Sequence, residues 1–307
     1  MNMEKDKELK SVDLFCGCGG MSLGFQNAGF KVMSAFDNWQ PAIETYNSNF
    51  SHKAHNTDIS DPDFHKALKP FKPDLISGGP PCQDFSIAGK RDANGSRANM
   101  TLIFSQIVSL IRPKWFVMEN VYNIEKFAVL SQALKVFNDG GYGITKSVID
   151  ASYVGVPQMR RRYFLIGRLG VEDGFLHESL LAGQSNKRMS VREYLGDALG
   201  TQFYYMHPRS YNRRAIFSVN EPSATIRGVN RPMPTNYKNH PADKVSDLSR
   251  VRSLSSAERA LIQTFPGKYV FKGTKSTVEQ MIGNAVPVKL AEYVAKIIIN
   301  YETSLND

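Results

Sequence analysis

The first half of the chain alternates short apolar runs with amphipathic stretches, and this alternation restricts the possible folds more than any other feature. The apolar runs at 11–15, 31–36, 74–77 and 115–118 have the length and composition of buried strands. Between them, helical spacing of apolar residues appears at 22–28, 41–49 and 102–111. Strands and helices in alternation predict an α/β fold with a mostly parallel sheet. Two further strands, at 145–150 and 162–168, are expected to form an antiparallel edge.

The composition of the chain changes near Gly170. From there to about Gly273 the sequence is rich in Ser, Asn, Pro and Arg and has few periodic segments. We interpret this region as a second, smaller lobe of loops and short strands. A helical pattern returns over 278–301, and we expect this C-terminal helix to pack on the first lobe. The sequence therefore predicts one domain from 1–170 plus 275–307, and a smaller domain over 171–274.

Bulk composition restricts the class of protein. A chain of 307 residues can bury one large core and a smaller appended lobe. No apolar run is long enough to span a bilayer, and the polar start MNMEKDKELK does not resemble a secretory signal. Three cysteines cannot make a disulfide framework or, without nearby histidines, a zinc site. We therefore expect a cytoplasmic protein with no membrane partner and no metal.

The net charge of +9 is concentrated in one part of the chain. Residues 201–252 contain nine lysines and arginines against three acidic residues, interleaved with six aromatic side chains. Basic and aromatic residues in this mixture suit a phosphate backbone and exposed bases. A solvated face on a basic protein would give the same pattern, so the charge alone leaves both interpretations open.

A glycine-rich turn follows the first predicted strand, in the run Val12-Asp13-Leu14-Phe15-Cys16-Gly17-Cys18-Gly19-Gly20. In a doubly wound sheet, nucleotides bind at such turns, although tight turns without a ligand also have this composition. Asp37 follows the second strand, where a carboxylate can bind ribose hydroxyls, and Asp58 follows a third segment. No G-x-G-x-x-G fingerprint is present. An adenosyl cofactor without a pyrophosphate therefore fits better than NAD.

The segment after the strand at 74–77 carries the strongest chemical signal. It reads Gly78-Gly79-Pro80-Pro81-Cys82-Gln83, so two prolines stiffen the approach to a single thiol. An isolated cysteine is commonly a buried structural residue. The next strand, however, leads into Glu119, and parallel topology would bring Glu119 close to Cys82. The pattern predicts a nucleophile and an acid in one pocket.

These segments resemble the family of DNA (cytosine-5)-methyltransferases of bacterial restriction-modification systems. The resemblance rests on the Phe15-x-Gly17-x-Gly19-Gly20 turn, on Pro80-Pro81-Cys82-Gln83 and on Glu119-Asn120-Val121, and it continues through 158–162, 259–266 and 280–288 in family order. It implies a Rossmann-like S-adenosylmethionine-dependent methyltransferase fold with a small, loop-rich target-recognition domain. It also implies methyl transfer from S-adenosyl-L-methionine to carbon 5 of a flipped cytosine, which yields S-adenosyl-L-homocysteine.

The resemblance assigns roles to individual residues. Cys82 is the implied nucleophile and Glu119 the group at ring nitrogen 3, while Arg160 and Arg162 lie near the flipped base, with Arg162 at the carbonyl oxygen on carbon 2. The implied cofactor-binding residues are Phe15, Gly17, Gly19, Gly20, Asp37, Asn38, Asp58, Ile59, Pro81, Asn284 and Val286. Asn38 and Trp39 depart from the family pattern, in which an aromatic residue directly follows the ribose-binding acid.

The resemblance also implies a double-stranded DNA partner. Residues 83–99 resemble a mobile catalytic loop, although Gly95-Ser96-Arg97 departs from the usual pattern, and 185–250 resembles a sequence reader that includes a Thr-aliphatic dipeptide at Thr225. A monomer paired functionally with a restriction endonuclease is expected. The implied DNA-binding residues are Gln83, Ser86, Lys90, Arg97, Gln158, Arg213, Arg214, Thr225, Arg227 and Arg231.

Three other functions stay open at this point. A transfer-RNA cytosine-5 methyltransferase of the same fold has a similar Pro-Pro-Cys segment, but the basic 185–250 region favours DNA. An amino-methylating enzyme needs no thiol and usually has an aromatic residue after Pro-Pro. A non-catalytic DNA-binding regulator would not need Cys82, Glu119 and the glycine turn together.

Overall fold

The first compact unit of the molecule is organised around a mixed β-sheet. In the computed structural model, which describes residues 8–81, 100–210 and 212–305, this sheet has seven strands within those ranges. In chain order they are β1 Lys10–Leu14, β2 Lys31–Asp37, β3 Ala54–Asn56, β4 Leu75–Gly78, β5 Trp115–Val121, β6 Tyr142–Asp150 and β7 Arg161–Leu169. Their order across the sheet is β3-β2-β1-β4-β5-β7-β6. This arrangement confirms the predicted α/β class.

Strands β1 to β5 run parallel, so their carboxyl ends meet at one edge of the sheet. β1 pairs with β2 and β4, β2 pairs with β3, and β4 pairs with β5. The register places Leu14 beside both Phe36 and Gly78. β7 runs antiparallel to β5, and β6 is the outermost strand on that side. The segments that follow β1, β2, β3, β4 and β5 therefore lie along a common edge, where nucleotide ligands bind in sheets of this kind.

Helices cover the sheet because their apolar residues recur at helical spacing. In α5, which spans Ala128–Asp139, the side chains of Val129, Leu130, Ala133 and Phe137 are buried. The Phe137 ring stacks on Phe116 of β5 at 3.9 Å between ring centroids. The α-helices of the described residues are α1 Gly20–Ala28, α2 Gln40–Asn47, α3 His65–Leu68, α4 Met100–Ile111, α5 Ala128–Asp139, α6 His177–Ala182, α7 Val191–Leu195, α8 Ser256–Ile262, α9 Lys275–Asn284 and α10 Val288–Ser304. In the part of the chain that the structure describes, no helix is long and apolar enough to cross a membrane.

The C-terminal helical pattern over 278–301 belongs to two helices rather than to one. α9 ends at Asn284, and Ala285 already has an extended ψ of 144°. Pro287 lacks an amide hydrogen and restricts the residue before it to extended conformations, so the helix cannot continue through 285–287. The prediction of a single helix was wrong because the proline interrupts a sequence whose apolar spacing is otherwise uniform.

A buried charge cluster attaches the end of α10 to the sheet. The carboxylate of Glu302 accepts hydrogen bonds from Trp115 Nε1 at 2.9 Å and Arg168 Nε at 2.8 Å. It also pairs with the ammonium group of Lys114. Burial raises the pKa of Glu302, but the bonds from Lys114 and Arg168 outweigh this effect and hold the pKa below its usual value of 4.5. The cluster therefore stabilises the docked helix as long as Glu302 is ionised.

Glu302→Gln is expected to lower the free energy of unfolding by about 3 kcal/mol, because it leaves the largely buried Arg168 without its carboxylate. The wild-type stabilisation should be fully present above pH 4.5 and should be lost as the pH falls through the lowered pKa of Glu302. Urea unfolding followed by circular dichroism at several pH values measures both effects. The control is Lys296→Gln, which breaks an exposed pair with Glu292 on the same helix and should change stability by less than about 0.5 kcal/mol. Equal losses in the two variants would contradict the account.

The second compact unit comprises residues 150–160 and 184–290. Its described part contains β8 Phe203–Tyr205, β9 Ile216–Ser218 and β10 Val251–Ser253 in a small sheet of order β10-β8-β9. Long irregular segments connect these strands, as the composition predicts.

The bounds of the two units differ from those of the predicted domains. Residues 171–183 belong to the first unit, where Gly174 N donates to Ile144 O and the Leu180 carbonyl accepts from Tyr293. Residues 150–160 and α9 belong to the second unit, where Arg160 donates to carbonyls at the end of α9. The predicted bounds were based on composition, which does not indicate either set of contacts.

Candidate active site

The turn after β1 has the backbone conformation that its glycines predict. Phe15, Gly17 and Gly19 have φ angles of 57°, 51° and 90°, and α1 begins at Gly20. Positive φ is rare for a residue such as Phe15 and marks local strain, which is common at ligand sites. A Cβ atom placed on Gly17 would have nothing within 4 Å. The turn is therefore open on the side that Gly17 faces.

Asp37, at the end of β2, holds this turn from the neighbouring strand. Its Oδ2 accepts from Gly17 N at 2.8 Å, and its Oδ1 accepts from Trp39 N at 2.9 Å. Burial raises the pKa of the Asp37 carboxyl, although these backbone hydrogen bonds oppose the effect. Each carboxylate oxygen keeps a further lone pair, so Asp37 can also accept from a hydroxyl group.

Asp13 is a residue of this region that sequence reasoning missed. Its carboxyl group is almost fully buried and accepts from Ser22 Oγ of α1 at 2.5 Å and from Ser77 Oγ of β4 at 3.1 Å. Burial raises its pKa to about 6. An acidic residue inside an apolar strand, as in Val12-Asp13-Leu14, is the signal that could have identified it.

Residues that follow the other parallel strands lie along the same edge of the sheet. Asp58 is exposed and its Oδ1 accepts from the backbone and hydroxyl of Ser60, while Ile59 is buried. Asn38 and Pro81 are exposed. An open turn with free space at Gly17, next to the Asp37 carboxylate, provides polar groups of the kind that a ribose and a charged amino-acid moiety require. These residues of the first unit therefore fit an adenosyl cofactor.

Asp37→Asn is expected to weaken binding of S-adenosyl-L-methionine by about 10- to 100-fold, because an amide offers one acceptor oxygen where the carboxylate offers two. The turn at Gly17 or the amide of Trp39 then loses its hydrogen bond. Isothermal titration with the cofactor measures the affinity. Asp61→Asn, at an exposed position beyond β3, is the control and should bind the cofactor as the wild type does. An unchanged affinity in Asp37→Asn would remove Asp37 from the site.

Glu119, near the end of β5, faces the segment that leads to Cys82. Its Oε1 pairs with Arg162 Nε at 2.8 Å, and both side chains are largely buried. Its Oε2 is 3.3 Å from the position of a Cβ atom built on Gly79. Arg162 lies at the start of the antiparallel strand β7, whose register sets it opposite Val121. The fold thus brings together an acid, an arginine and the turn after β4.

Asn120 fixes the same turn. Its Nδ2 donates to Pro80 O at 3.1 Å, and its Oδ1 accepts from Val121 N at 2.8 Å. Pro80, two residues before Cys82, is therefore tied to the end of β5. Cys82 itself lies outside the described residues, as do Gln83, Ser86, Lys90 and Arg97.

Two residues expected near the substrate make buried contacts within the second unit. Arg160 is 1% exposed, and its guanidinium donates to the carbonyls of Ile226, Gly283 and Ala285. Gln158 is fully buried; its amide donates to Gln263 and accepts from the backbone of Ile226. Their burial and hydrogen bonds place Arg160 and Gln158 in the framework of the second unit. Contact of Arg160 with the flipped base and of Gln158 with DNA stays a prediction.

The arginines expected to contact DNA differ in their surroundings. Arg214 makes a bidentate pair with Glu221, at 2.9 and 3.0 Å, and stacks on Phe217. These contacts occupy its guanidinium, which argues against a direct role in base recognition. Arg213 and Arg231 are exposed, and Arg227 is half-buried.

Three more of the expected residues lie in the second unit. Thr225 donates its hydroxyl hydrogen to Met159 O at 2.7 Å. Asn284 is exposed at the end of α9, and Val286 is buried between α9 and α10. For these two, cofactor contact stays a prediction.

Comparison with known proteins agrees with this arrangement. The family model of C-5 cytosine-specific DNA methylases matches residues 9–300. The chain is 55% identical over 296 residues to the type II methyltransferase M.HindV of Haemophilus influenzae, covering 96% of this chain and 97% of that protein. It is 52% identical over 294 residues to the type II methyltransferase M.HgiDI of Herpetosiphon aurantiacus, covering 95% of each.

Solved structures with a similar fold include the Dnmt2 methyltransferase of S. pombe, with a TM-score of 0.72 at 19% identity, covering 96% of this chain and 99% of that one. A DNMT2 variant of Spodoptera frugiperda has a TM-score of 0.71, also at 19% identity, covering 95% of this chain and all of that one. At this level of identity the likeness concerns the fold alone.

Proposed function

The chain belongs to the family of C-5 cytosine-specific DNA methylases, and on this premise we propose that Cys82, Glu119 and Arg162 carry out its reaction through a covalent adduct with the target cytosine. The protein is a DNA (cytosine-5)-methyltransferase of the restriction-modification type that uses S-adenosyl-L-methionine. One observation carries the proposal. The Glu119 carboxylate, paired with Arg162, lies against Gly79, three residues before Cys82.

The chemistry of cytosine explains the need for a thiolate. Carbon 5 of the ring is too weak a nucleophile to accept a methyl group unaided. Addition of the Cys82 thiolate at carbon 6 forms a sulfur–carbon bond and moves the electron pair of the 5,6 double bond towards carbon 5 and the N3–O2 region. When bound, S-adenosyl-L-methionine supplies an electrophilic methyl group for carbon 5. A base then removes the carbon-5 proton, the double bond re-forms and the thiolate leaves.

Glu119 and Arg162 stabilise the negative charge that the adduct develops. We assign Glu119 to ring nitrogen 3, where it donates or shares a proton. Arg162 Nε holds the Glu119 carboxylate, and Arg162 Nη1 donates to the carbonyl of Arg161. A guanidinium carries five N–H donors, so Arg162 can hold Glu119 and still donate to a ligand. We assign one of these donors to the carbonyl oxygen on carbon 2.

The target cytosine has to leave the duplex before this chemistry can occur. Flipping costs roughly a few kcal/mol, and contacts with the rest of the DNA offset that cost. We propose that the second unit, with its basic stretch over 201–252, provides these contacts and recognises a short specific site. A transfer-RNA substrate is the competing proposal. The relatives named as type II methyltransferases favour DNA.

Product analysis tests the function directly. The purified full chain is incubated with S-adenosyl-L-methionine carrying a deuterated methyl group and with unmethylated duplex DNA or transfer RNA. The nucleosides are then identified by mass spectrometry. We expect labelled 5-methyl-deoxycytidine from the duplex. Labelled N4-methyl-deoxycytidine, or label in transfer RNA alone, would overturn the proposal.

The names of the relatives also suggest the biological setting. We propose that the chain acts as a monomer in the bacterial cytoplasm and protects DNA from a restriction endonuclease of the same specificity. Plasmid DNA from cells that express the chain, mapped by bisulfite sequencing, would give the protected motif. A cognate endonuclease is expected to cut the same plasmid only when Cys82 is replaced by serine.

A further inference from the structure

The segment 225–230 of the second unit, here called the recognition segment, is held rigidly by buried polar side chains. Thr225 Oγ1 donates to Met159 O at 2.7 Å. The Ile226 amide donates to Gln158 Oε1 at 2.8 Å, and the Ile226 carbonyl accepts from Arg160 at 2.8 Å. Two of the three residues that fix the first half of the segment, Gln158 and Arg160, are themselves almost fully buried.

The second half of the segment is fixed from α8 and α9. The Arg227 carbonyl accepts from Arg259, which forms a buried ion pair with Glu279. The other carboxylate oxygen of Glu279 accepts from Asn230 Nδ2 at 2.8 Å. The backbone of Gly228 packs closely on Gly283 of α9. A Cβ atom built on Gly283 would lie 2.1 Å from Gly228 N. Each of these contacts limits the motion of the backbone that carries Arg227.

The Arg227 side chain sits in a small pocket that Tyr205, His207, Thr225 and Asn230 help to line. It donates one hydrogen bond to the carbonyl of His207, which leaves most of its five N–H donors for a ligand. In the described part of the chain, no carboxylate forms an ion pair with Arg227. By contrast, Arg214 on the same unit is neutralised by Glu221.

Two other arginines lie close enough to His207 and Arg227 of this pocket to affect their charges. Arg209 and Arg231 are exposed, and neither forms an ion pair with a described acidic residue. Burial lowers the pKa of His207, and the charges of Arg231 and Arg227 lower it further, so this imidazole is neutral at neutral pH. Burial lowers the pKa of Arg227, and the nearby charge of Arg209 lowers it further. Three arginines close together, with no acidic partner among the described residues, favour an anionic ligand that carries hydrogen-bond acceptors.

We propose that Arg227 recognises a guanine in the target site, while Arg209 and Arg231 bind the flanking phosphates. This inference rests on the proposed function of the second unit. Guanine presents two adjacent acceptors, O6 and N7, that match the fork of an arginine, and such bidentate contacts discriminate best when the side chain is held on a fixed backbone. Phosphate contacts carry no sequence information, and the exposed side chains of Arg209 and Arg231 can make them without a fixed backbone.

Two substitutions of Arg227 separate base recognition from phosphate binding. The full chain methylates a plasmid library with randomised positions around cytosine, and bisulfite sequencing gives the motif. Arg227→Lys keeps the charge but loses the fork, so the preference for guanine at one position should fall by roughly 5- to 150-fold. Arg227→Ala should lose the same preference. Arg231→Ala should slow methylation at every site and leave the motif unchanged. The number of counterions released on binding, measured from the salt dependence of the affinity, should fall by about one.

The matched control is Arg192→Ala, because the Arg192 guanidinium on the same unit already pairs with Asp197. This variant should keep the wild-type motif and rate. If Arg227→Lys retains the full motif, Arg227 does not recognise a base and the inference is overturned. If the variants are inactive, the affinity of the wild type is measured for duplexes in which 7-deazaguanine replaces each guanine in turn. The inference is overturned if the replacement changes the affinity at none of the positions. A wild-type chain that methylates no cytosine would instead refute the proposed function.

Discussion

Replacement of Cys82 by serine is expected to abolish methyl transfer, lowering kcat by about 10⁴- to 10⁶-fold, the range seen when an enzyme loses its nucleophile. A serine hydroxyl is almost fully protonated at neutral pH and adds far more slowly to carbon 6 of cytosine. DNA binding should persist, because the basic stretch at 201–252 is unchanged. Single-turnover rates with a labelled methyl group measure the loss, and fluorescence anisotropy with duplex DNA measures the binding.

The burial of the other two cysteines makes alkylation a specific test of Cys82. Cys16 and Cys18 are buried, and burial raises the pKa of Cys18 to about 12 and that of Cys16 well above its usual value. Neither is available as a thiolate at neutral pH. Alkylation with iodoacetamide should therefore inactivate the wild type through Cys82, the remaining cysteine of the chain. Turnover by Cys82→Ser within tenfold of the wild type would contradict the covalent mechanism.

Glu119→Gln is expected to lower kcat by about 10²- to 10⁴-fold, the usual contribution of a positioned proton donor or acceptor. Glutamine preserves the size of the side chain beside Gly79, so the turn should keep its shape. It cannot deliver a proton to ring nitrogen 3, and it loses the ion pair with Arg162. The effect should appear in the single-turnover rate, with the affinity for duplex DNA close to that of the wild type.

Glu125→Gln is the matched control, because Glu125 is exposed in the short helix that follows β5. Its rate should equal that of the wild type. Arg162→Gln should also reduce the rate, since it removes both the partner of Glu119 and the proposed donor to the carbonyl on carbon 2. If Glu119→Gln reacts at the wild-type rate, Glu119 has no part in the chemistry.

Much of the fold was predictable because hydrophobic periodicity is a local property. The apolar runs at 11–15, 31–36, 74–77 and 115–118 all overlap strands of the central sheet. Parallel pairing of β4 with β5 then brings Glu119 to the turn at Gly79, as expected from topology. The pairing of Arg162 with Glu119 needed the antiparallel placement of β7 beside β5, which the sequence indicated only as an edge.

Other features depended on tertiary contacts that leave no local pattern. Arg160 and Arg162 are both arginines in one motif, yet one is bound to three carbonyls of the second unit and the other pairs with Glu119. Likewise, Arg214 and Arg227 carry the same charge, but Arg214 pairs with Glu221, while no described carboxylate pairs with Arg227. The sequence could not assign these roles because the partners lie far away along the chain.

Covalent trapping tests the central claim, a Cys82 adduct assisted by Glu119, most directly. The full chain is incubated with S-adenosyl-L-methionine and a duplex that carries 5-fluorocytosine at the methylated position, because fluorine cannot be removed as a proton from carbon 5. We predict a complex stable to denaturation whose mass equals protein plus DNA plus one methyl group, with the peptide containing Cys82 attached. The complex should be absent in Cys82→Ser and form more slowly in Glu119→Gln. An active wild-type enzyme that forms no adduct, or one attached to another residue, would contradict the account.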